Sequence, residues 1–254
     1  MKFSQRIFQS QIDLVGYAAT RFVRSRHQIL LACMPKSGST FLSNAVGRID
    51  GFRKTRLTTA YGRTEQEIDP LVALRRARHD YVAQHHVKYN ENTESVINSF
   101  GITPVVLVRN IFDCVVSLRD HLRRESVATP MAWFDEHHLE MDDNDLEDMI
   151  VTLAMPWYID FYVSWCRRKD ALWLTYEEVK DDTPRAVEAI LNHTGRPVSY
   201  DEIESSLHMA HAGADRLNKG TSGRGLELSE RNKDIVRHYC SFYPHIDFSL
   251  IGVE

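Results

Sequence analysis

The sequence predicts an α/β fold in which a P-loop-like parallel sheet is flanked by helices on both faces, and three observations carry this. Residues 29–33 (ILLAC) and 103–108 (TPVVLV) are apolar almost throughout, as strands covered on both faces must be. Each run passes directly into an amphipathic helical pattern, and this order of strand and helix repeats along the chain. The junction after the first run, Met34-Pro35-Lys36-Ser37-Gly38-Ser39-Thr40, is short, polar and cationic. A strand, a tight loop and a helix N-terminus gather backbone N–H groups, hydroxyls and one lysine around a small space, which is a phosphate cradle.

At 254 residues the chain has the length of one large domain with a substantial core, read as a single domain over 1–254. Residues 1–26 carry an N-terminal helix, and the remainder is an α/β core with a C-terminal lid and helix. A formal net charge of −4 argues against general nucleic-acid binding, which calls for a basic surface. Four cysteines, Cys33, Cys114, Cys166 and Cys240, lie in apolar surroundings without a CxxC pair. They read as reduced core residues rather than a disulfide framework or zinc site. With no secretory pattern and no long apolar span, the expectation is a cytoplasmic protein without stable membrane insertion.

Taken in order, residues 3–24 have apolar positions at helical spacing and a basic surround. They read either as a helix packed on the domain or as a weak peripheral membrane contact. After the cradle helix, 51–70 reads as a polar surface loop, 71–79 as a short basic helix and 81–87 as a strand ending in His85-His86-Val87. Residues 92–100 form a helix closed by Gly101. The second apolar strand ends in Arg109-Asn110 and runs into a helix at 111–122. The acidic run 140–148 reads as a solvated loop or a helix start. Residues 146–168 then read as an aromatic-rich helix kinked at Pro156. A strand at 171–175 and a Pro-started helix ending at Gly195 follow, then another helix from about Asp201. The basic, glycine-rich stretch 218–225 reads as a flexible loop or an anion-binding lid, and 226–242 as a final amphipathic helix.

In an open parallel sheet ligands bind beyond the carboxyl ends of the strands, where Lys36, His86 and Arg109 all fall. The cradle departs from the nucleotide-triphosphate loop G-x-x-x-x-G-K-[ST], because Lys36 precedes the loop's only glycine, Gly38. With these residues in place, the chain resembles the sulfotransferases that use 3′-phosphoadenosine 5′-phosphosulfate (PAPS). Pro35-Lys36-Ser37-Gly38-Ser39-Thr40-Phe41 is similar to the family's PKSGTTW loop around the 5′-phosphosulfate. Arg109-Asn110-Ile111-Phe112-Asp113 through Ser117 is similar to RNPxDxxxS, whose arginine and serine bind the 3′-phosphate. Tyr176-Glu177-Glu178-Val179-Lys180 resembles the YEDxK stretch, whose tyrosine contacts adenine, and Tyr176 reads equally as a core residue. Asn218-Lys219-Gly220 resembles the RKG segment that closes over the 3′-phosphate.

The resemblance implies sulfonate transfer from PAPS to a hydroxyl of a small-molecule, lipid or sugar acceptor, leaving 3′,5′-adenosine bisphosphate (PAP). Catalytic roles then fall to His86 as general base and Lys36 as the cation at the leaving phosphate, and no metal is required. His85 competes for the base, because adjacent strand residues face opposite sides. Phe41 stands for the family's adenine-stacking tryptophan, Gln84 for a lysine and Asn218 for an arginine whose contact Arg216 or Arg224 would supply. Two other classes stay open: a P-loop phosphotransferase using ATP and Mg²⁺, and a non-catalytic nucleotide-binding protein.

Overall fold

The computed structural model describes residues 26–58, 67–212 and 221–254. The N-terminal helix expected in 3–24 and the segment Asn218-Lys219-Gly220 lie outside them. Five strands, β1 (Gln28–Cys33), β2 (Phe52–Thr55), β3 (Asp80–His85), β4 (Thr103–Val108) and β5 (Leu172–Thr175), form one sheet in the order β2-β3-β1-β4-β5. Every neighbouring pair is parallel. Ala32 of β1 pairs with His85 and Cys33 with Leu107, so the carboxyl ends of the three central strands are level. The chain leaves β1 toward one edge of the sheet and leaves β4 toward the other. That divergence opens a crevice above β1.

The period of two along each strand divides the core into two layers. Leu30, Ala32, Tyr81, Ala83, Val106 and Val108 face one side, where α3 (Glu91–Phe100), α4 (Ile111–Arg124), α5 (Asp143–Leu153), α6 (Met155–Trp165) and α10 (Glu230–Ser241) cover them. Numbers α1 (Ser39–Val46) and α2 (Pro70–Arg76) precede these in the chain, and α7 (Tyr176–Asp181), α8 (Thr183–His193) and α9 (Tyr200–Ala212) lie between α6 and α10. Ile29, Leu31, Cys33, Val82, Val105 and Leu107 face the other side, against α1, α8 and α9. Strands buried on both faces are therefore why the sequence showed unbroken apolar runs rather than alternation. No helix among the described residues is long and apolar enough to cross a membrane.

The helix starts follow their capping chemistry. Asn110 accepts from the N–H groups of Phe112 and Asp113 at the head of α4. The Thr175 hydroxyl accepts from the Glu178 N–H, and the Glu178 carboxylate accepts from the Thr175 N–H, a reciprocal cap on α7. The acidic run resolves the same way, with Asp142 as the cap and Asp143 and Asp145 in the first turn of α5.

Three expectations need correction. The polar stretch 51–70 contains an edge strand, β2, which buries Phe52 and turns Arg53 and Lys54 to solvent. Four residues are too few for a pattern, and charged side chains suit an edge. The aromatic-rich segment is two helices, parted at Ala154, because Pro156 in the first turn of α6 has no N–H to continue the ladder of α5. The last helix starts at Glu230, after a 3₁₀ turn over Arg224–Glu227.

Helix α6 also ties the core to the rim of the sheet. Trp165, fully buried, donates its indole N–H to the Val87 carbonyl at 2.8 Å, just past His86. Tyr158 donates its hydroxyl to the Pro35 carbonyl at 3.2 Å. Two of the three strand ends are thus held from below by one aromatic helix face.

Candidate functional site

Above β1 lies a cavity of about 600 Å³ into which Lys36, His86 and Arg109 all open. They follow β1, β3 and β4 respectively, so the level strand ends bring them to one rim.

The cradle is built from backbone. Lys36 has φ 67°, the only non-glycine residue in the left-handed region among the described residues, and Gly38 has φ 78°. A lysine in that conformation costs on the order of 1–3 kcal/mol, which the surrounding contacts must offset. Ser37 is fully buried and donates its hydroxyl to the Met34 carbonyl at 2.6 Å, closing the turn. Gly38 heads α1 with no side-chain cap, and Ser39, Thr40 and Phe41 of the first turn line the cavity. A Cβ on Gly38 would sit 3.1 Å from the Tyr176 ring, so the glycine is needed for space as well as for φ.

Arg109 is almost fully buried and locks two segments together. Its Nη1 donates to the Lys36 carbonyl at 2.9 Å and its Nη2 to the Thr221 carbonyl at 3.0 Å. The guanidinium also stands 4.2 Å over the Tyr176 ring. Asp113, one helical turn on, accepts from the N–H groups of Gly223 at 2.9 Å and Gly225 at 2.7 Å. A Cβ on Gly225 would lie 2.7 Å from the Phe112 carbonyl carbon, so only glycine lets the chain lie this close to α4. The distal part of the predicted lid is therefore fastened to the head of α4. Arg224 is turned away into a 2.8 Å ion pair with Asp120, so it is committed elsewhere.

The two histidines face opposite sides, as alternation requires. His85 shares its face with Tyr81 and Ala83, is fully buried, and accepts from the Leu57 N–H at its Nε2, 2.9 Å away. His86 lies on the face of Gln84 and lines the cavity, with Nδ1 2.9 Å from the Cys33 carbonyl. Burial lowers the His86 pKa below the ordinary histidine value, and the bond to Cys33 opposes that in part. The neighbouring Cys33 thiol is pushed up to about 12 by burial and stays protonated.

Gln84, in the position of the family's lysine, donates to Ser39 Oγ at 2.9 Å and accepts from Ser43 Oγ at 3.0 Å. It braces α1 instead of adding charge. Ser117, Leu118, His121 and Glu125 line the cavity from α4, and Ala128, Thr129, Pro130 and Met131 from the segment that follows. Of these only Ser117 was singled out from sequence. Successive spacings of four along a helix from Ser117 are the signal that could have found His121 and Glu125.

A model of the sulfotransferase domain matches residues 26–223 of this chain. Comparison with curated proteins gives no match. Among solved structures, mouse sulfotransferase SULT7A1 complexed with PAP is 17% identical, with 89% of this chain and 88% of that one covered at a TM-score of 0.62. Retinol dehydratase in complex with androsterone and PAP is 15% identical, covering 91% and 85% at 0.57. Sulfotransferase STF9 from Mycobacterium avium is 15% identical, covering 87% and 77% at 0.52. At such identities these likenesses speak for the fold, and the domain match, spanning most of the sequence, speaks for the family. The chain belongs to the sulfotransferase family.

Proposed function

We propose that this protein transfers a sulfonate from PAPS to a hydroxyl of a small-molecule, lipid or sugar acceptor, with His86 as general base. The observation that carries the reading is the Arg109–Lys36 hydrogen bond at 2.9 Å. It puts the candidate 3′-phosphate arginine and the candidate 5′-phosphosulfate lysine on one cavity, within reach of a single nucleotide. The donor suits the residues present. Arg109 Nε is buried with no partner among the described residues, the first turn of α1 has no side-chain cap, and two cations share the lining. PAP, bound in two of the related structures, is what such a donor leaves behind.

On this reading the 3′-phosphate falls to Arg109, Ser117 and Lys219-Gly220, with Asn218 beside them. The 5′ end falls to the loop Pro35 to Thr40, and adenine to Phe41 and Tyr176. Ser37 contributes backbone alone, since its hydroxyl is spent inside the turn. When bound, PAPS supplies the sulfonate: the acceptor oxygen–sulfur bond forms as the bond from sulfur to the bridging oxygen breaks, and PAP leaves. Lys36 and the N–H groups of the cradle offset the negative charge that gathers at the leaving phosphate. His86 donates its Nδ1 proton to the Cys33 carbonyl, which leaves Nε2 bare to take the acceptor's proton. Its lowered pKa keeps it unprotonated at neutral pH. The whole chain works as one catalytic domain in the cytoplasm, a reading that the four free thiols fit.

Thermal shift tests the donor and labelled transfer tests the reaction. PAP at about 100 times its dissociation constant is expected to stabilise the protein by about 2.7 kcal/mol. Sulfur-labelled PAPS and a cell extract are expected to give a labelled product. A shift with ATP and Mg²⁺ but none with PAP identifies a phosphotransferase, and PAP binding without turnover identifies a binding protein.

A further inference from the structure

Lys36 is already engaged. Its Nζ lies 3.8 Å from Glu125 Oε1 and 3.4 Å from His121 Nδ1, and that same Nδ1 lies 3.1 Å from Glu125 Oε2. One ring nitrogen cannot donate to the carboxylate and accept from the ammonium at once, so the three groups share two exchangeable pairings. We propose that Glu125, backed by His121, is an internal counter-charge for Lys36 that competes with any anion entering the cradle. This makes it a positioning residue that sets how tightly the 5′ end of the nucleotide is held.

The placement of Glu125 supports this. It is the C-cap of α4, where the helix dipole disfavours a carboxylate, and the last turn offers it basic neighbours in Arg123 and Arg124. Arg123 instead pairs with Asp143 at 3.2 Å. The carboxylate is therefore directed into the cavity, toward Lys36 and His121. A phosphate arriving at Lys36 meets an ammonium already shared, and a carboxylate of its own sign close behind. Both effects weaken binding at the 5′ end alone. Adenine, Ser117 and Arg109 lie toward the other end of the nucleotide in this reading.

The inference rests on the proposed donor, and the test separates the two. Calorimetric titration of wild type, Glu125→Gln and Glu125→Asp uses PAP and adenosine 3′-monophosphate, which lacks the 5′-phosphate. Glu125→Gln is expected to bind PAP about fivefold more tightly than wild type, as loss of a close, partly solvated charge implies. It is expected to bind adenosine 3′-monophosphate within about twofold of wild type, and Glu125→Asp to stay near wild type for both. Unchanged or weaker PAP binding in Glu125→Gln overturns the inference while the donor assignment stands. An equal shift for both ligands does the same, because it marks a general structural effect. If wild type binds neither ligand, the donor assignment fails and takes the inference with it.

Discussion

The two ends of the cavity are built on different principles. The inner end, around Lys36, Gly38 and Arg109, is backbone held by backbone: two left-handed residues, an uncapped helix start, and a guanidinium on the carbonyls of Lys36 and Thr221. The outer end, from Ala128 to Met131, belongs to the segment beyond α4, whose ties include Ala128 N–H to Ser126 Oγ and Thr129 Oγ1 to the Ala132 carbonyl. The first cannot change without disturbing three strands. The second can vary while the sheet stays as it is, which suits a wall that selects an acceptor.

The largest expected effect lies where the two ends meet. His86→Gln is expected to lower kcat by about 10²–10⁴ while PAP affinity stays within about twofold. A matching fall in PAP affinity would make His86 part of the inner end's structure. Wild-type rate should rise with pH and level off below about 6.5, because burial lowers the His86 pKa and the proposed mechanism uses the neutral ring as base. Folding carries the same sign. The unfolded chain takes up this proton near pH 6.5 and the folded one only below it, so stability falls as pH drops below that value.

Arg109→Lys tests the inner end next. A lysine keeps the charge but cannot span the Lys36 and Thr221 carbonyls and lie over Tyr176 together. PAP affinity measured by calorimetry is expected to drop about tenfold to a hundredfold. Little change would mean that the fork is structural rather than ligand-directed. The smallest effect is expected at the outer end. Ala128→Phe places bulk at an exposed lining position and should raise KM several-fold for bulky alcohols, leaving PAP affinity and Tm near wild type. A loss of PAP affinity there would erase the distinction between the two ends.

These two ends were also unequally legible in sequence. The cradle could be read because a strand, a tight glycine-containing turn and a helix start leave few residue choices, and Ile29 to Leu42 carries all of them in succession. Arg109 was legible for a similar reason, standing where an unbroken apolar strand stops. The choice between His85 and His86 was not, since both sit at the same strand end. Gln84 on α1 and Leu57 on His85 settle the face, and neither contact is local. Strand β2 was hidden by its length, and the break at Ala154 by an apolar pattern that continues across it.

The buried strands, the cradle and the placing of Lys36, His86 and Arg109 at strand ends were determined by sequence alone, because local periodicity and turn chemistry act over a few residues. Which histidine faces the cavity, how Asp113 fastens the glycines at 223 and 225, and that Glu125 reaches Lys36 were decided by the tertiary structure. Those contacts join residues far apart in the chain, and they exist only once the sheet has set its register and α4 has packed against it.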